Sequence, residues 1–364
     1  MRVLLSGGGT GGHVFPAIAI AKALKKFDAG IEILFVGAEG KMEMQAVPKA
    51  GFDIVALPVR GFQRRLTWRN LDTIRRLLYS LRRVRRILKD FRPDVVVGTG
   101  GYASAPALKV AQRLGIPTVV QEQNSYAGVT NKLLGRRAQA ICVAYEGMDR
   151  FFPKEKIVLT GNPVRADLTK DVNTTAAYAH FDLDPGRKTV LVMGGSLGAR
   201  TINEAIEAAA PHIAREEDVQ VLWQMGRLYR ERFVQGRAAK LDRVRPLTFI
   251  DRMDYAYRVA DVAVCRAGAL TLSELMVTGV PAVLVPSPNV AEDHQTKNAR
   301  TLVSHDAAAW VPDQQAREHV WDEALRLLRD DETRHRMSKN LLAMAKKDAA
   351  DAIARVIIKL ARQE

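Results

Sequence analysis

The sequence predicts an α/β protein with two Rossmann-like, doubly wound parallel-sheet domains that follow one another along the chain. Short apolar, β-branched runs alternate with longer helical patterns, and most runs are bounded by Gly, Pro or Asp. Runs that are apolar at nearly every position are typical of parallel strands buried on both faces. Each half of the chain also opens with a strand, a glycine-rich turn and a helix, and 364 residues are enough for two such domains.

Strands are predicted in both halves of the chain, with helices between them. In the first half they are expected at residues 2–6, 31–36, 95–98, 118–121, 140–144 and 157–160. In the second half they are expected at 189–193, 220–224, 247–250, 262–265 and 282–285. A Gly-Asn-Pro segment and the polar stretch after it indicate the boundary. We therefore predict a first domain of 1–163, a second of 164–345 and a helical tail, 346–364, that could pack back on the first.

The composition restricts the class of protein. Lys and Arg number 55 against 40 Asp and Glu, and the net charge of +15 predicts an acidic partner: nucleic acid, an anionic membrane face or phosphorylated substrates. Cys142 and Cys265 lie in apolar runs, so we expect buried free thiols and no disulfide scaffold. We find neither a signal peptide nor a run of roughly 20 apolar residues that could span a bilayer. These features predict a cytoplasmic protein whose membrane contact is peripheral.

The positive charge is concentrated between residues 60 and 92, where twelve Lys and Arg accompany two acidic residues. Apolar residues recur there at helical spacing, which predicts a basic amphipathic helix. Such a helix suits an anionic membrane surface, at about 1 kcal/mol per basic residue near the lipid. The plainer alternative is an ordinary packed helix with solvated arginines. We expect the apolar stripe to face the core, but that alternative leaves the excess of arginine unexplained. Nucleic acid is the alternative partner, but the basic residues do not alternate with aromatic residues that could stack on bases. We therefore expect no nucleic acid to bind. The apolar positions are Leu71, Ile74, Leu78, Leu81, Val84 and Leu88.

The first glycine loop lies between a strand and a helix, where Gly7, Gly9 and Gly12 match G-x-G-x-x-G. Glycines let a ligand approach the backbone, and a helix N-terminus favours negative charge. A nicotinamide-binding domain would need an acidic residue about 20 positions later, and the nearest, Glu39, comes 27 residues after Gly12. His13 at the helix start suits a general base, but it could equally well only cap the helix or form a hydrogen bond with a neighbour.

The second glycine loop, Gly194-Gly-Ser-Leu-Gly-Ala-Arg200, also lies between a strand and a helix. Ser196 there is either a phosphate ligand or the nucleophile of a hydrolase, because the loop also matches G-x-S-x-G. His294 and His305 could complete a catalytic triad. The hydrolase hypothesis leaves the first loop, the duplicated domain and the basic excess unexplained, so we favour the phosphate ligand.

Two further polar segments follow predicted strands. After Cys265, Thr271 and Glu274 open a helix, where Glu274 could accept hydrogen bonds from a ribose diol or simply stabilise the first turn. The other segment, Gln121-Glu-Gln-Asn-Ser125, belongs at the carboxyl edge of a parallel sheet, where doubly wound folds bind ligands. Glu122 could act there as a base or an orienting group, and the alternative is a turn with ordinary caps.

Seven motifs occur along the chain in a fixed order. They are Gly7-Gly-Gly-Thr-Gly-Gly-His13, Gly100-Gly-Tyr-Ala-Ser104, Gln121-Glu-Gln-Asn124, Thr130-Asn-Lys132, Gly161-Asn-Pro-Val-Arg165, Gly194-Gly-Ser-Leu-Gly-Ala199 and Arg266-Ala-Gly-Ala-Leu-Thr-Leu-Ser-Glu274. Together they resemble the MurG family of peptidoglycan N-acetylglucosaminyltransferases over nearly the whole chain. The set is highly specific, although each motif alone is not.

The resemblance implies a GT-B fold, in which two Rossmann-like domains face a cleft. It implies transfer of GlcNAc from UDP-GlcNAc to the C4 hydroxyl of the MurNAc of lipid I (undecaprenyl-diphospho-MurNAc-pentapeptide), which gives lipid II with inversion. The reaction would take place at the cytoplasmic face of the inner membrane and would need no metal or other cofactor. The alternatives are another GT-B nucleotide-sugar transferase and, less favoured, a Rossmann dehydrogenase or a G-x-S-x-G hydrolase.

The resemblance also implies roles for individual residues. The predicted donor contacts are Arg165 and Ser196 to the UDP phosphates, Ile250 to uracil through its backbone, Ala269, Leu270 and Thr271 to the diphosphate and ribose, Glu274 to the ribose and Gln295 to GlcNAc. The predicted contacts on the sugar and acceptor side are Thr10, Gly11, Gly12 and Asn124, with His13 as the first candidate for the base and Glu122 as the second. In one departure from the family pattern, His294 stands where the first of two glutamines is usual, and its role is open.

Overall fold

The computed structural model describes residues 1–59, 69–195 and 197–362, without the side chains of residues 69–74 and of Ala291. The chain forms two compact units. Unit 1 comprises Met1–Arg165 and Lys346–Glu364, and unit 2 comprises Ala166–Ala345. The first division thus falls two residues after the predicted boundary, and the helical tail belongs to the same unit as the N-terminus.

Unit 1 is built on a seven-stranded parallel sheet with the order β3-β2-β1-β4-β5-β6-β7. Its strands are β1 (Arg2–Gly7), β2 (Glu32–Ala38), β3 (Asp53–Leu57), β4 (Val95–Gly100), β5 (Thr118–Glu122), β6 (Ala140–Val143) and β7 (Ile157–Leu159). Leu4 pairs with Leu34 on one side and Val96 on the other. Every residue of β4 and β5 is buried, because helices cover both faces of the sheet, and this explains their continuous apolar sequences.

Unit 2 contains a six-stranded sheet with the order β10-β9-β8-β11-β12-β13, and all its strand pairs are parallel. The strands are β8 (Lys188–Met193), β9 (Val219–Gln224), β10 (Val244–Leu247), β11 (Val262–Cys265), β12 (Ala282–Leu284) and β13 (Ala309–Trp310). Two doubly wound parallel sheets confirm the predicted fold class.

Helices connect the strands in both units. The helices of unit 1 are α1 (Gly11–Phe27), α2 (Glu43–Lys49), α3 (Arg69–Phe91), α4 (Ser104–Arg113) and α5 (Val129–Gly135). Those of unit 2 are α6 (Thr174–Phe181), α7 (Arg200–Ala208), α8 (Ala210–Ile213), α9 (Arg230–Phe233), α10 (Met253–Val259), α11 (Ala269–Thr278), α12 (His294–Val303), α13 (Ala316–Arg329) and α14 (Asp331–Met344). The chain then returns to unit 1 as α15 (Ala349–Ala361).

The C-terminal helix α15 packs against α1. Ile353, Ala354 and Ile357 are buried in the same core as the apolar face of α1. Lys26 Nζ lies 2.6 Å from a carboxylate oxygen of Asp351, which adds an ion pair at the rim. The apolar stripe of α15 is therefore part of the core of unit 1.

The main errors in the predicted strands concern sheet edges. β3 and β13 were not predicted, since β3 is a partly exposed edge strand and β13 has only two residues. The predicted strand 247–250 is wrong in position, because β10 ends at Leu247. Pro246 lies inside β10, where an edge strand tolerates the missing N–H.

Both cysteines are buried free thiols, as predicted. Burial raises the pKa of Cys142 and that of Cys265 to about 12. Each thiol therefore stays protonated at neutral pH, which leaves neither suited to act as a nucleophile. In the part of the chain that the structure describes, no helix is both long and apolar enough to cross a membrane.

Candidate active site

The glycine loop of unit 1 follows β1 and is held by a buried carboxylate. Glu43, the first residue of α2, accepts hydrogen bonds from the Gly9 N–H at 3.0 and 3.2 Å and from the Ala38 N–H at 2.9 Å. A Cβ on Gly8 would lie 2.0 Å from Glu43 Oε1, so the close approach requires glycine there. Because the Gly9 N–H already serves a carboxylate, the loop is poorly suited to a diphosphate. Sequence reasoning missed Glu43, whose one local signal is its place in the first turn of a helix.

His13 lies in the first turn of α1, half-buried, and the main chain orients its ring. Its Nδ1 is 3.0 Å from the carbonyl oxygen of Thr99 and 3.2 Å from Gln123 Oε1. A carbonyl oxygen can only accept, so in the neutral ring Nδ1 carries the proton and Nε2 the lone pair. Gly100 has φ 102°, and a Cβ there would lie 2.7 Å from His13 Nδ1. This tautomer and fixed orientation suit a general base.

The N-cap of α1 is Thr10, not His13. The Thr10 carbonyl accepts the first backbone hydrogen bonds of the helix, from the N–H groups of His13 and Val14. Thr10 and Gly12 are exposed and Gly11 is half-buried. The backbone evidence thus removes the capping alternative for the His13 side chain, whereas its hydrogen bonds to Thr99 and Gln123 also fit the alternative of a residue that only bonds its neighbours. The contact roles of Thr10, Gly11 and Gly12 stay predictions.

A buried amide network lies next to His13. Gln121 donates to Asn162 Oδ1 at 3.0 Å, and Asn162 donates to the Gln123 carbonyl oxygen at 2.9 Å. Gln123 in turn donates to the carbonyl oxygen of Thr99, which is the partner of His13. The network therefore connects the Gly161-Asn-Pro motif with the residues that orient His13. The sequence showed these motifs but not their connection.

Glu122 is buried at the end of β5, and nitrogen donors surround both of its oxygens. Oε1 accepts from the backbone and side-chain nitrogens of Asn124 at 3.0 and 3.2 Å. Oε2 accepts from the Gly128 N–H at 3.1 Å and from Asn131 Nδ2 at 2.8 Å. This geometry favours a role in holding the segment from Asn124 to α5. The proposed role of Glu122 as a base stays a prediction with less support than that of His13.

The carboxyl edge of the sheet in unit 2 carries the second glycine loop. Ser196 lies outside the described residues, but the glycines on either side are described. Gln224 donates to the Gly195 carbonyl oxygen at 3.0 Å. Gly198 has φ 84°, and a Cβ there would lie 2.1 Å from the Met225 carbonyl oxygen. The end of β9 therefore shapes this loop, which sequence reasoning did not foresee.

The start of α11 lies at the same edge, after β11. Its first turn contains Ala269, Leu270 and Thr271, all half-buried. Glu274 in the next turn accepts a hydrogen bond from the Tyr257 hydroxyl at 2.9 Å. A helix N-terminus with half-buried side chains and a carboxylate one turn later suits a phosphorylated ligand with a hydroxylated sugar.

The remaining predicted donor residues have different environments. Ile250 is buried after β10, so a ligand would meet its backbone before its side chain. Gln295 accepts from the Ser287 N–H at 2.8 Å and so holds the connection between β12 and α12. His294 begins α12 and is half-buried, and Arg165 is the last residue of the first segment of unit 1. Within the described ranges, no three His, Cys, Asp or Glu side chains are grouped as for a metal ion.

Helix α3 contributes to a groove of unit 1 that is lined by apolar side chains and by arginines. Val84 and Leu88 are buried, as predicted for the stripe, but the side chain of Leu78 is 54% exposed. Residues 60–68, and the side chains of Leu71 and Ile74, lie outside the described residues. The groove has a volume of about 390 Å³. Its lining residues are Leu78, Leu81, Arg82, Arg85, Val110, Arg113 and Leu114.

The comparisons with known proteins agree on one family. Residues 3–143 match the glycosyltransferase family 28 N-terminal domain, and residues 189–355 match the C-terminal domain of that family. The chain is 50% identical to the UDP-N-acetylglucosamine–N-acetylmuramyl-(pentapeptide) pyrophosphoryl-undecaprenol N-acetylglucosamine transferase of Bacteroides thetaiotaomicron, over 100% of this chain and 99% of the relative. It is 52% identical to the protein of that name from Parabacteroides distasonis, over 99% and 98% of the two chains.

A solved structure supports the same assignment. The crystal structure of Acinetobacter baumannii MurG aligns with a TM-score of 0.76 and 29% identity, over 98% of this chain and 99% of that one. Both domains, the full-length relatives and the fold therefore agree with the motifs. The chain belongs to glycosyltransferase family 28, within the MurG family of N-acetylglucosaminyltransferases.

Proposed function

We propose that this protein transfers GlcNAc from UDP-GlcNAc to the C4 hydroxyl of the MurNAc of lipid I, with inversion, and so forms lipid II in peptidoglycan synthesis. The observation that carries the proposal is about 50% identity, over essentially the whole chain, with transferases whose names state this donor and acceptor. The ordered surroundings of His13 in unit 1 and of α11 in unit 2 support it. The dehydrogenase and hydrolase hypotheses have no such support.

The reaction is a direct displacement at the anomeric carbon. His13 Nε2 accepts the proton of the acceptor hydroxyl as its oxygen bonds to C1 of GlcNAc. The bond between C1 and the diphosphate oxygen breaks, and UDP leaves with the electron pair. Negative charge on the leaving diphosphate is stabilised by the N-terminus of α11, by Arg165 and by Ser196.

We assign the donor contacts to unit 2, except for that of Arg165, the last residue of the first segment of unit 1, and the acceptor contacts to unit 1. In unit 1 the Gly9 N–H serves the Glu43 carboxylate, which disfavours a diphosphate at the first glycine loop. The first turns of α1 and α11 both lack an acidic side chain, so the assignment rests on the loop and not on the helix starts. The net charge of each unit also supports placing a lipid-linked acceptor on unit 1, because a diphosphate-linked lipid in an anionic membrane favours a basic surface. Unit 1 holds 32 Lys and Arg against 15 Asp and Glu, a net +17, whereas unit 2 holds 23 against 25, a net −2.

The function is tested by ligand binding and by transfer. The melting temperature of the protein is measured with UDP, UDP-GlcNAc, UDP-glucose and NAD, and labelled GlcNAc transfer is measured with a lipid I analogue. We expect stabilisation by UDP and UDP-GlcNAc and formation of the lipid II analogue. Stabilisation by NAD but not by UDP would overturn the proposal. Transfer of glucose in preference to GlcNAc would indicate a different GT-B transferase.

Transfer is expected to continue in the presence of EDTA. The leaving diphosphate is stabilised in this mechanism by a helix N-terminus, a guanidinium group and a hydroxyl, so no divalent cation is needed. The measurement is the initial rate with saturating EDTA against the rate with added Mg²⁺. A rate that falls to background in EDTA and returns with Mg²⁺ would contradict this part of the mechanism.

We also propose that unit 1 docks on the anionic cytoplasmic face of the inner membrane through α3 and its groove. Exposed arginines flank an apolar floor that includes Leu78, an arrangement that suits lipid phosphates with adjacent acyl chains. The peripheral location follows from this docking, and no nucleic acid is expected to bind.

Neutralising four arginines of α3 is expected to weaken membrane binding. Arg82, Arg83, Arg85 and Arg86 are exposed, and replacing all four with glutamine removes about 4 kcal/mol of attraction if each contributes about 1 kcal/mol. Binding is measured by cosedimentation with vesicles that contain phosphatidylglycerol. The charge-matched control replaces four exposed arginines of unit 2: Arg215, Arg227, Arg230 and Arg317. Equal loss in both variants, or no loss in the α3 variant, would place the contact elsewhere.

A further inference from the structure

A side-chain network in unit 2 connects three segments that carry predicted donor contacts. Its members are Arg266, which directly follows β11, Asp313, which precedes α13, and Thr201, the second residue of α7. Asp313 and Thr201 lie outside the family motifs discussed above, and no role follows for Arg266 from the resemblance. The network therefore calls for an explanation of its own.

The network has two links. Arg266 Nη1 donates to a carboxylate oxygen of Asp313 and, at 3.0 Å, to the Val285 carbonyl oxygen. The other oxygen of Asp313 accepts from the Thr201 hydroxyl at 3.2 Å. The Arg266 and Asp313 side chains are only 15% and 18% exposed, so solvent screens this ion pair weakly.

Each link ends on a segment with a predicted role in donor binding. Arg266 lies three residues before Ala269, where α11 begins. Val285 starts the connection that leads to Gln295, and Arg200 alone separates Thr201 from the glycine loop 194–199. The loop has two glycines with positive φ, Gly195 and Gly198, so its own backbone restrains it little. Its position therefore depends on contacts with neighbouring segments, which are the end of β9 at Gly195 and Gly198 and the link from Thr201 to Asp313 after the loop.

We infer that Arg266 and Asp313 are positioning residues, which hold the start of α7 and the start of α11 in the mutual arrangement that binds the diphosphate of the donor. The inference rests on the proposed function, since it concerns the donor site. A phosphate that accepts hydrogen bonds from two helix starts requires both to be placed within about 0.5 Å. The Arg266–Asp313–Thr201 network is a direct side-chain connection between them.

The test uses Thr201→Val and Asp313→Ala in the full-length protein. Thr201→Val keeps the shape and removes only the hydroxyl, so it breaks the link to α7 and leaves the Arg266 pair in place. Dissociation constants are measured for UDP and for uridine, which lacks phosphate. We expect Thr201→Val to raise the Kd for UDP about tenfold with no change for uridine, and Asp313→Ala to raise it further.

The matched control is Arg334→Lys. Arg334 is 10% exposed and donates to the Leu327 carbonyl oxygen and to Asp331, so it resembles Arg266 in burial and partners. Asp331 also contacts Lys188 at the beginning of β8, so this cluster lies at the amino edge of the sheet, away from the donor residues. We expect Arg334→Lys to lower Tm and to leave the Kd for UDP unchanged.

The outcomes separate the two proposals. Wild-type protein that binds no UDP would refute the proposed donor itself. Folded variants that bind UDP as tightly as the wild type would refute the positioning role. An equal loss of UDP and uridine binding would also refute it, because general destabilisation does not distinguish a ligand with phosphate from one without.

Discussion

Replacing His13 with alanine is expected to lower kcat by about 10²- to 10⁴-fold, the usual contribution of a general base. The Kd for UDP-GlcNAc is expected to stay close to the wild-type value, because the donor contacts, apart from that of Arg165, are assigned to unit 2. The structural reason is the tautomer: the Thr99 carbonyl oxygen, 3.0 Å from Nδ1, fixes the proton there and directs the lone pair to Nε2. Initial rates and a fluorescence or calorimetric titration with UDP-GlcNAc measure the two quantities.

His305→Ala is the matched control. His305 Nδ1 lies 2.7 Å from the Thr301 carbonyl oxygen, so it makes the same kind of contact as His13, but in the exposed turn that follows α12. Wild-type turnover is expected for this variant, and that result would also count against a hydrolase triad that includes His305. Near wild-type turnover of His13→Ala would remove His13 from the mechanism. A large rise in the Kd for UDP-GlcNAc would instead show that His13 contributes to donor binding.

The sequence predicted the strands well where both faces of the sheet are covered. β4 and β5 are apolar throughout because helices cover them on both sides, so their patterns are unambiguous. The edge strand β3 was not predicted, and the strand predicted at 247–250 lies after the observed β10. Both edge strands are partly exposed, and β10 contains Pro246. The apolar stripe of α3 was predicted as core, which holds for Val84 and Leu88 but not for Leu78. The burial of a residue at a sheet edge or on a surface helix depends on which segments pack against it, and the local sequence pattern does not show those segments.

The same distinction applies to the candidate site. The glycine loops were predicted because turn chemistry is local and visible in a few residues. The partners that hold them are distant in sequence: Glu43 lies 34 residues from Gly9, Asp313 lies 47 from Arg266, and Thr99 lies 86 from His13. Only the folded sheet brings these pairs together, so a single sequence shows the ligand-facing loops and conceals the residues that position them.

Glu122→Ala is expected to destabilise unit 1 strongly. It would leave four nitrogen donors, from Asn124, Gly128 and Asn131, without the carboxylate that now accepts their hydrogen bonds. Each unsatisfied buried donor costs about 1–3 kcal/mol, and partial access of water reduces the total, so we expect a loss of about 3 kcal/mol or more. For a unit of this size the corresponding fall in Tm is about 6–12 °C. Calorimetry of the full-length protein measures it.

Glu122→Gln separates the holding role from the role of base. An amide of the same shape keeps one accepting oxygen but turns an NH₂ group toward two of the donors, so Tm should fall by an intermediate amount. If Glu122 only holds the segment between Asn124 and α5, kcat of this variant, measured well below its Tm, should stay within about tenfold of the wild type. If Glu122 is the base, kcat should fall at least 10²-fold even where the protein is fully folded. A catalytic loss of that size with little change in Tm would therefore move the role of base from His13 to Glu122. Such a result would mean that the carboxylate is needed for catalysis and that its four hydrogen bonds contribute little to the stability of the fold.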